Sequence, residues 1–183
     1  MTVKAPNHRR PRRLILALVG FLALGILAAG PAQAAGLSEQ EQRDLLLLRE
    51  EEKLARDVYQ VLLARWGMNL FSNIAASEQN HMDAVKVLLE QYEVKDPALS
   101  TSGVFTNQEL QTLYNDLIAL GSVSSIEALK VGLTIENTDI ADLEAAIENT
   151  EKFDIQTVYK NLLDGSRNHL AAFTTTLAKR KTR

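Results

Sequence analysis

Two histidines and a few carboxylates occupy positions where a core helix would ordinarily carry leucine. At about 100° per residue, Glu78 and His81 fall inside the stripe of Phe71, Ile74, Val85, Leu88, Leu89 and Tyr92. A glutamate three residues before a histidine sets both groups on one side of one turn, where an oxygen and a nitrogen can face a single cation. His169 lies likewise among Ile155, Val158, Leu162, Phe173 and Thr176. Glu136 shares its face with Leu129, Leu133, Ile140, Leu143 and Ile147, and Asp139 points the same way one turn later. In the run Glu50-Glu51-Glu52, the stripe of Leu45, Leu48, Ala55, Tyr59, Leu62, Leu63 and Trp66 runs closest to Glu52. Glu51 is the alternative, and Glu50 falls on the opposite face. A buried carboxylate without a partner costs several kcal/mol, so acids placed this way need a cation or a donor.

Each of these residues also has a plainer reading. A lone inward histidine is more often a hydrogen-bonded core residue than a ligand, and Glu136 and Asp139 could reach solvent from the edge of their stripe. Beyond residue 34 the chain has only these two histidines, both inward, and that favours ligation. The sequence contains no cysteine, so a metal site must be built from nitrogen and oxygen, a set suited to Fe(II), Mn(II) or Zn(II). Gly-x-Ser-x-Gly and Gly-rich phosphate loops are absent, which argues against nucleophilic hydrolysis and nucleotide chemistry.

The elements that must hold these residues read as helices. Ser38 with Glu41, Thr106 with Glu109, and Ser124 with Glu127 have capping-box spacing. Four long amphipathic segments are expected at about 38–66, 70–92, 124–149 and 154–178, with a shorter helix near 107–120. The first two join tightly around Gly67 and the last two around residues 150–153, and short links make antiparallel neighbours. Between the pairs runs a long crossover in which Asp96-Pro97 and Gly103 interrupt any helix. The predicted class is all-α: a four-helix bundle of two antiparallel hairpins, with a short extra helix in the crossover.

Residues 1–34 read as a secretory signal. Lys4, Arg9, Arg10, Arg12 and Arg13 precede the apolar run Leu14 to Ala29, and Ala32-Gln33-Ala34 supplies a cleavage site after Ala34. The apolar run has 16 residues, short of the roughly 17–25 of a spanning helix, so no membrane span is expected after cleavage. The paired arginines fit a twin-arginine route as well as the general one. Residues 35–183 then form the domain, in a periplasmic or extracellular setting. Five of the 20 basic residues and none of the 23 acidic ones lie in 1–34, so the remainder carries a net charge of −8. That charge disfavours nucleic acid as a partner. The partners left open are metal ions, dioxygen or peroxide, and a second copy of the chain in a homodimer.

The arrangement resembles the ferritin-like di-iron and di-manganese carboxylate proteins, which use one Glu from each of two helices and a Glu-x-x-His from each of the other two. Glu52 followed by Ala55 and Tyr59 looks like the first metal helix of the rubrerythrin group; Glu78-Gln79-Asn80-His81 matches the second-helix motif, and Glu136 the single glutamate of the third. The segments 50–59 (EEEKLARDVY), 74–85 (IAASEQNHMDAV), 134–143 (TIENTDIADL) and 165–173 (GSRNHLAAF) are similar to a bacterial and archaeal branch of ferritin-like proteins known as a domain of unknown function. The resemblance spans about 37–178. It implies a ferritin-like bundle holding iron, as a di-iron pair, or alternatively manganese or zinc. It further implies that Glu52 and Glu136 span the metals and act catalytically, that Glu78, His81 and His169 are terminal ligands, and that Tyr59 or Tyr92 tunes the site or carries an electron.

One position departs from that family: Ser166 stands where the second Glu-x-x-His would have its glutamate. Asp139 could restore the oxygen as a metal ligand, Ser166 or Asn168 could hold a water or exogenous ligand, or the second ion is bound weakly or not at all. Gly165 marks either a helix irregularity or a close helix contact. The functions this leaves are an oxidoreductase acting on Fe(II), dioxygen or peroxide, a non-catalytic metal store or sensor, and a metal-free interaction module.

Overall fold

The structure, a computed structural model, describes residues 36–181; the expected export signal at 1–34 lies outside them. Five helices follow in order: α1 (Glu39–Trp66), α2 (Asn69–Gln91), α3 (Gln108–Gly121), α4 (Ser125–Glu148) and α5 (Phe153–Lys181). Among the described residues there is no strand, and no helix is long and apolar enough to cross a membrane. The chain is an all-helical bundle.

Local chemistry sets the helix ends. Ser38 and Glu41 form a reciprocal capping box, and Ser124 accepts from the Glu127 amide. The start of α3 differs from expectation. Its cap is Asn107, whose side chain accepts from the amides of Glu109 and Leu110, while the Thr106 hydroxyl donates to the Pro97 carbonyl. Two neighbouring residues were competent to cap, and the crossover took Thr106 for its own turn. Gly67 ends α1 in the left-handed region, φ 62°, which only glycine adopts without steric cost.

Cross-helix contacts fix the directions. Arg49 meets Met82, Arg56 meets Gln79 and Tyr59 meets Phe71, so α1 and α2 run antiparallel. Ser125 meets Arg180 and Asp139 meets Ser166, so α4 and α5 do too. Two apolar clusters fill the interior. One gathers Val58, Leu62, Leu129 and the rings of Tyr59, Phe71 and Phe173, whose centroids lie 5.3–6.0 Å apart. The other gathers Leu45, Leu48, Val85, Leu89, Leu143 and Ile155. Between them in the chain register of every long helix comes a charged residue: Glu52, Glu78, Glu136 or His169.

The crossover lies on the outer face of α1 and buries it. Glu50, expected opposite the core, is only 4 % exposed because its carboxylate accepts from the amides of Thr106 (2.6 Å) and Asn107 (3.1 Å). Arg49 forks onto Asp96, and Lys53 reaches Asp57 (2.6 Å) and the carbonyls of Thr101 and Val104. Asp57 also accepts from the Gly103 amide. Burying these charges is tolerable because each has a partner. Helix α1 therefore has two buried polar faces, one toward the core and one toward the crossover.

Candidate metal centre

Glu52, Glu78, Glu136 and His169 come from four different helices, and their registers bring them together between the two apolar clusters. Glu52, Glu78 and Glu136 are 1–2 % exposed. His81 Nδ1 is 2.8 Å from Glu78 Oε2 and 3.2 Å from Glu52 Oε2. His169 Nδ1 is 3.0 Å from Glu78 Oε1 and 3.4 Å from Glu136 Oε2. The two imidazoles lie face to face, centroids 5.6 Å apart and planes 25° from parallel. Two donor triads result, Glu52-Glu78-His81 and Glu78-Glu136-His169, with donor atoms in each within 4.8 Å of one another.

Glu78 belongs to both triads. Glu52 and Glu136, for which the resemblance implies a metal-spanning role, each fall in one triad beside one histidine, whereas Glu78 is common to both. The physical reason is the i,i+3 spacing on α2. It sets Glu78 beside its own His81, with one oxygen toward that ring and the other across to His169 on α5.

The contacts have the distances of hydrogen bonds, yet several lack the geometry. Glu52 Oε1, Glu78 Oε1 and His169 Nδ1 are buried with no hydrogen-bond partner, although Glu78 Oε1 and His169 Nδ1 are 3.0 Å apart. Buried polar atoms are normally satisfied. Glu52 belongs to one triad, His169 to the other and Glu78 to both, and such orphans, all nitrogen or carboxylate oxygen, fit cations of the Fe(II), Mn(II) or Zn(II) kind. The donor set is suitable for them.

Protons hold the cluster together otherwise. Burial opposes charge on His81, but Glu52 and Glu78 overcome it and raise the imidazole to about 11. His169 is raised to about 9 by Glu136 and Glu78 against the same burial. Burial works to raise Glu78, and the contacts to His169 and His81 outweigh it, bringing it down to about 2. Glu52 is pushed well above the carboxylate range by burial and by Asp139. Glu136 rises to about 7, chiefly by burial. A cation would replace these protons, since ligands must be deprotonated to bind.

Asp139 is buried but belongs to neither triad. The Ser166 hydroxyl donates to Asp139 Oδ2 at 2.5 Å, with the Leu162 carbonyl 3.0 Å away as its alternative acceptor, while Asp139 Oδ1 has no partner. Ser166 thus orients Asp139 beside the centre, and Asn168 is exposed. Burial, with Asp142 and Asp139 nearby, raises Glu51 to about 9. Of the two tyrosines, Tyr59 is the one at the site: it donates to Glu136 Oε1 at 2.6 Å. Tyr92 donates instead to Asp154, at the far end of α2.

Gly165 resolves as a close contact within a continuous helix. A Cβ there would stand 2.6 Å from His81 Nε2 and 2.7 Å from Cε1, so the missing side chain makes room for the imidazole. Of the two readings of this glycine it is the close helix contact that holds, and the partner, His81 of α2, is what the sequence did not name.

The comparisons with known proteins agree with one another. A family model described as an uncharacterized protein domain, DUF2202, matches residues 41–183. The uncharacterized protein MJ0754 of Methanocaldococcus jannaschii is 54 % identical over 138 residues, 75 % of each chain. The crystal structure of the hypothetical protein MJ0754 from Methanococcus jannaschii superposes with a TM-score of 0.79 at 50 % identity, covering 84 % of this chain and 87 % of that one.

Proposed function

For this chain, which belongs to the DUF2202 family, we propose a ferritin-like metal-binding function in which two transition-metal ions share Glu78. Glu52 and His81 hold one ion and Glu136 and His169 the other. The observation that carries this reading is the pair of buried triads joined through one carboxylate, whose Oε1 stands 3.0 Å from His169 Nδ1 with neither atom hydrogen-bonded. Two antiparallel hairpins and a long crossover agree with the ferritin-like arrangement. Iron is the metal we favour, because a set of carboxylates and imidazoles binds Fe(II) and tolerates a change of charge.

When bound, iron supplies one-electron chemistry toward dioxygen or peroxide, and the activity proposed is oxidation of Fe(II) or reduction of those oxidants. The chain's own residues set the conditions. Glu78 holds the two halves at a fixed separation, and Tyr59 fixes Glu136 through its hydroxyl. The apolar clusters on either side keep bulk water away. Stopped-flow mixing of Fe(II) with aerated protein tests the proposal: oxidation faster than in buffer, lost in Glu78→Ala, is expected, and no acceleration would overturn the redox part.

A second reading, a store or sensor that binds the same ions without turnover, draws on Ser166. With serine where a glutamate would complete the set, and Asp139 tied to it, the centre has three carboxylates rather than four. Binding without oxidation in the same experiment would select it. We further propose that residues 1–34, which read as an export signal, send the protein out of the cytoplasm; the intact mass of protein recovered from the periplasm or medium, lacking residues 1–34, would test that.

A further inference from the structure

A cavity of about 40 Å³ opens between α1, α3 and α4, outside the two triads. Its mouth is framed by Leu113, Thr134 and Thr138, all reaching solvent. Inside, Leu54, Leu110, Leu117 and Ile135 are each at most 7 % exposed and present only hydrocarbon. The floor is different, because Glu51 and Asp139 line it. Asp139 is 8 % exposed, and its Oδ1 has no hydrogen-bond partner; neither has the buried Oε2 of Glu51.

We propose that this cavity is a binding site for a short aliphatic alcohol, whose hydroxyl donates to Asp139 or Glu51 while its chain lies on the leucines of α3. Size limits the ligand. A water needs about 10–15 Å³ measured this way, so the space takes a molecule of roughly two to four heavy atoms. The wall chemistry limits it further. A bare cation requires several oxygen ligands, and the interior offers two carboxylates among hydrocarbon. A pure hydrocarbon would suit the leucines but leave two buried acceptor atoms unsatisfied, the costly case. An O–H on a short apolar tail suits the leucines and gives one of the two acceptors a donor, which a hydrocarbon cannot. Asp139 stands beside the metal centre, but the lining includes none of Glu52, Glu78, His81, Glu136 or His169, and occupancy of the cavity does not require metal.

Saturation-transfer NMR of 1-propanol with the full chain tests this, against its isomer ethyl methyl ether, which has the same number of heavy atoms and no donor. Saturable binding of 1-propanol is expected, with the ether bound about tenfold or more weakly for want of the hydrogen bond. Thr138→Phe, at the exposed mouth, should abolish the alcohol signal, and Thr134→Phe serves as a second plug should the first not fold. A non-saturable response, equal affinity for the ether, or unchanged binding in the folded plug variants would overturn the proposal.

Discussion

Replacing Gly165 with alanine adds a methyl group where His81 already stands. The new Cβ would lie 2.6 Å from His81 Nε2, whereas non-bonded carbon contacts settle near 3.5 Å, so the imidazole must retreat by about 0.9 Å. Metal-ligand distances tolerate only about 0.2 Å. The triad Glu52-Glu78-His81 should therefore lose its ion, by about 100-fold or more in affinity. The other triad does not include His81 and should be kept. The fold should survive, because alanine is favoured over glycine in a helix by about 1 kcal/mol, which offsets part of the clash. The assay is a titration of chelator-treated protein with Fe(II) under anaerobic conditions, beside a thermal melt. Wild type should take up two ions per chain, one for each triad, and Gly165→Ala one. A variant that still binds both with unchanged affinity would refute the geometry given to His81.

Other consequences are open to the same tools. Glu78→Ala should remove both ions, whereas Glu136→Gln should spare the His81 end and Glu52→Gln the His169 end; metal analysis separates these patterns. Ser166→Ala leaves Asp139 without its buried donor and should lower stability by about 1.5–3 kcal/mol in urea unfolding, and a loss below about 0.5 kcal/mol would contradict the contact. Lys53→Met strips a fully buried cation from Asp57 and the crossover carbonyls; a loss of about 3 kcal/mol is expected, with metal stoichiometry unchanged. The pH dependence of metal-free protein follows from groups raised on folding: Glu51 from 4.5 to about 9, Glu136 from 4.5 to about 7, Asp139 from 3.8 to about 7 and His169 from 6.5 to about 9. Each contributes stability that is full below its unfolded value and lost as pH rises through its folded one. Glu78, lowered to about 2, contributes above 4.5 and loses its share only in strong acid. Thermal melts of chelated protein should therefore fall from about pH 5 to pH 9, and a rise over that window would contradict the cluster's protonation.

Periodicity read the core-facing side of the helices well because an acid inside an apolar stripe is conspicuous. Glu52, Glu78, His81, Glu136 and His169 stood out for that reason, and the structure brings all five together. Which carboxylate lies between the histidines was not legible. That depends on the relative heights of four helices, which no single helix records. The second buried face of α1 was also hidden. Glu50 was placed only opposite the core, and the crossover that covers it together with Arg49, Lys53 and Asp57 has no periodicity to announce it. Asp139 was correctly turned inward, yet its partner Ser166 was weighed only as a missing ligand or as a holder of water or an exogenous ligand. A serine one turn from a histidine gives no sign of the carboxylate it will meet on another helix.

The sharing of Glu78 is the centre of the account, and metal content of Glu78→Gln tests it most directly, because the substitution keeps the side chain's shape and removes its charge. Elemental analysis of wild-type and variant full chain, each loaded anaerobically with Fe(II) and desalted, should give two ions per chain for wild type, one for each triad, and essentially none for the variant. A variant that retains one or both ions, or a wild type that holds none, would contradict it.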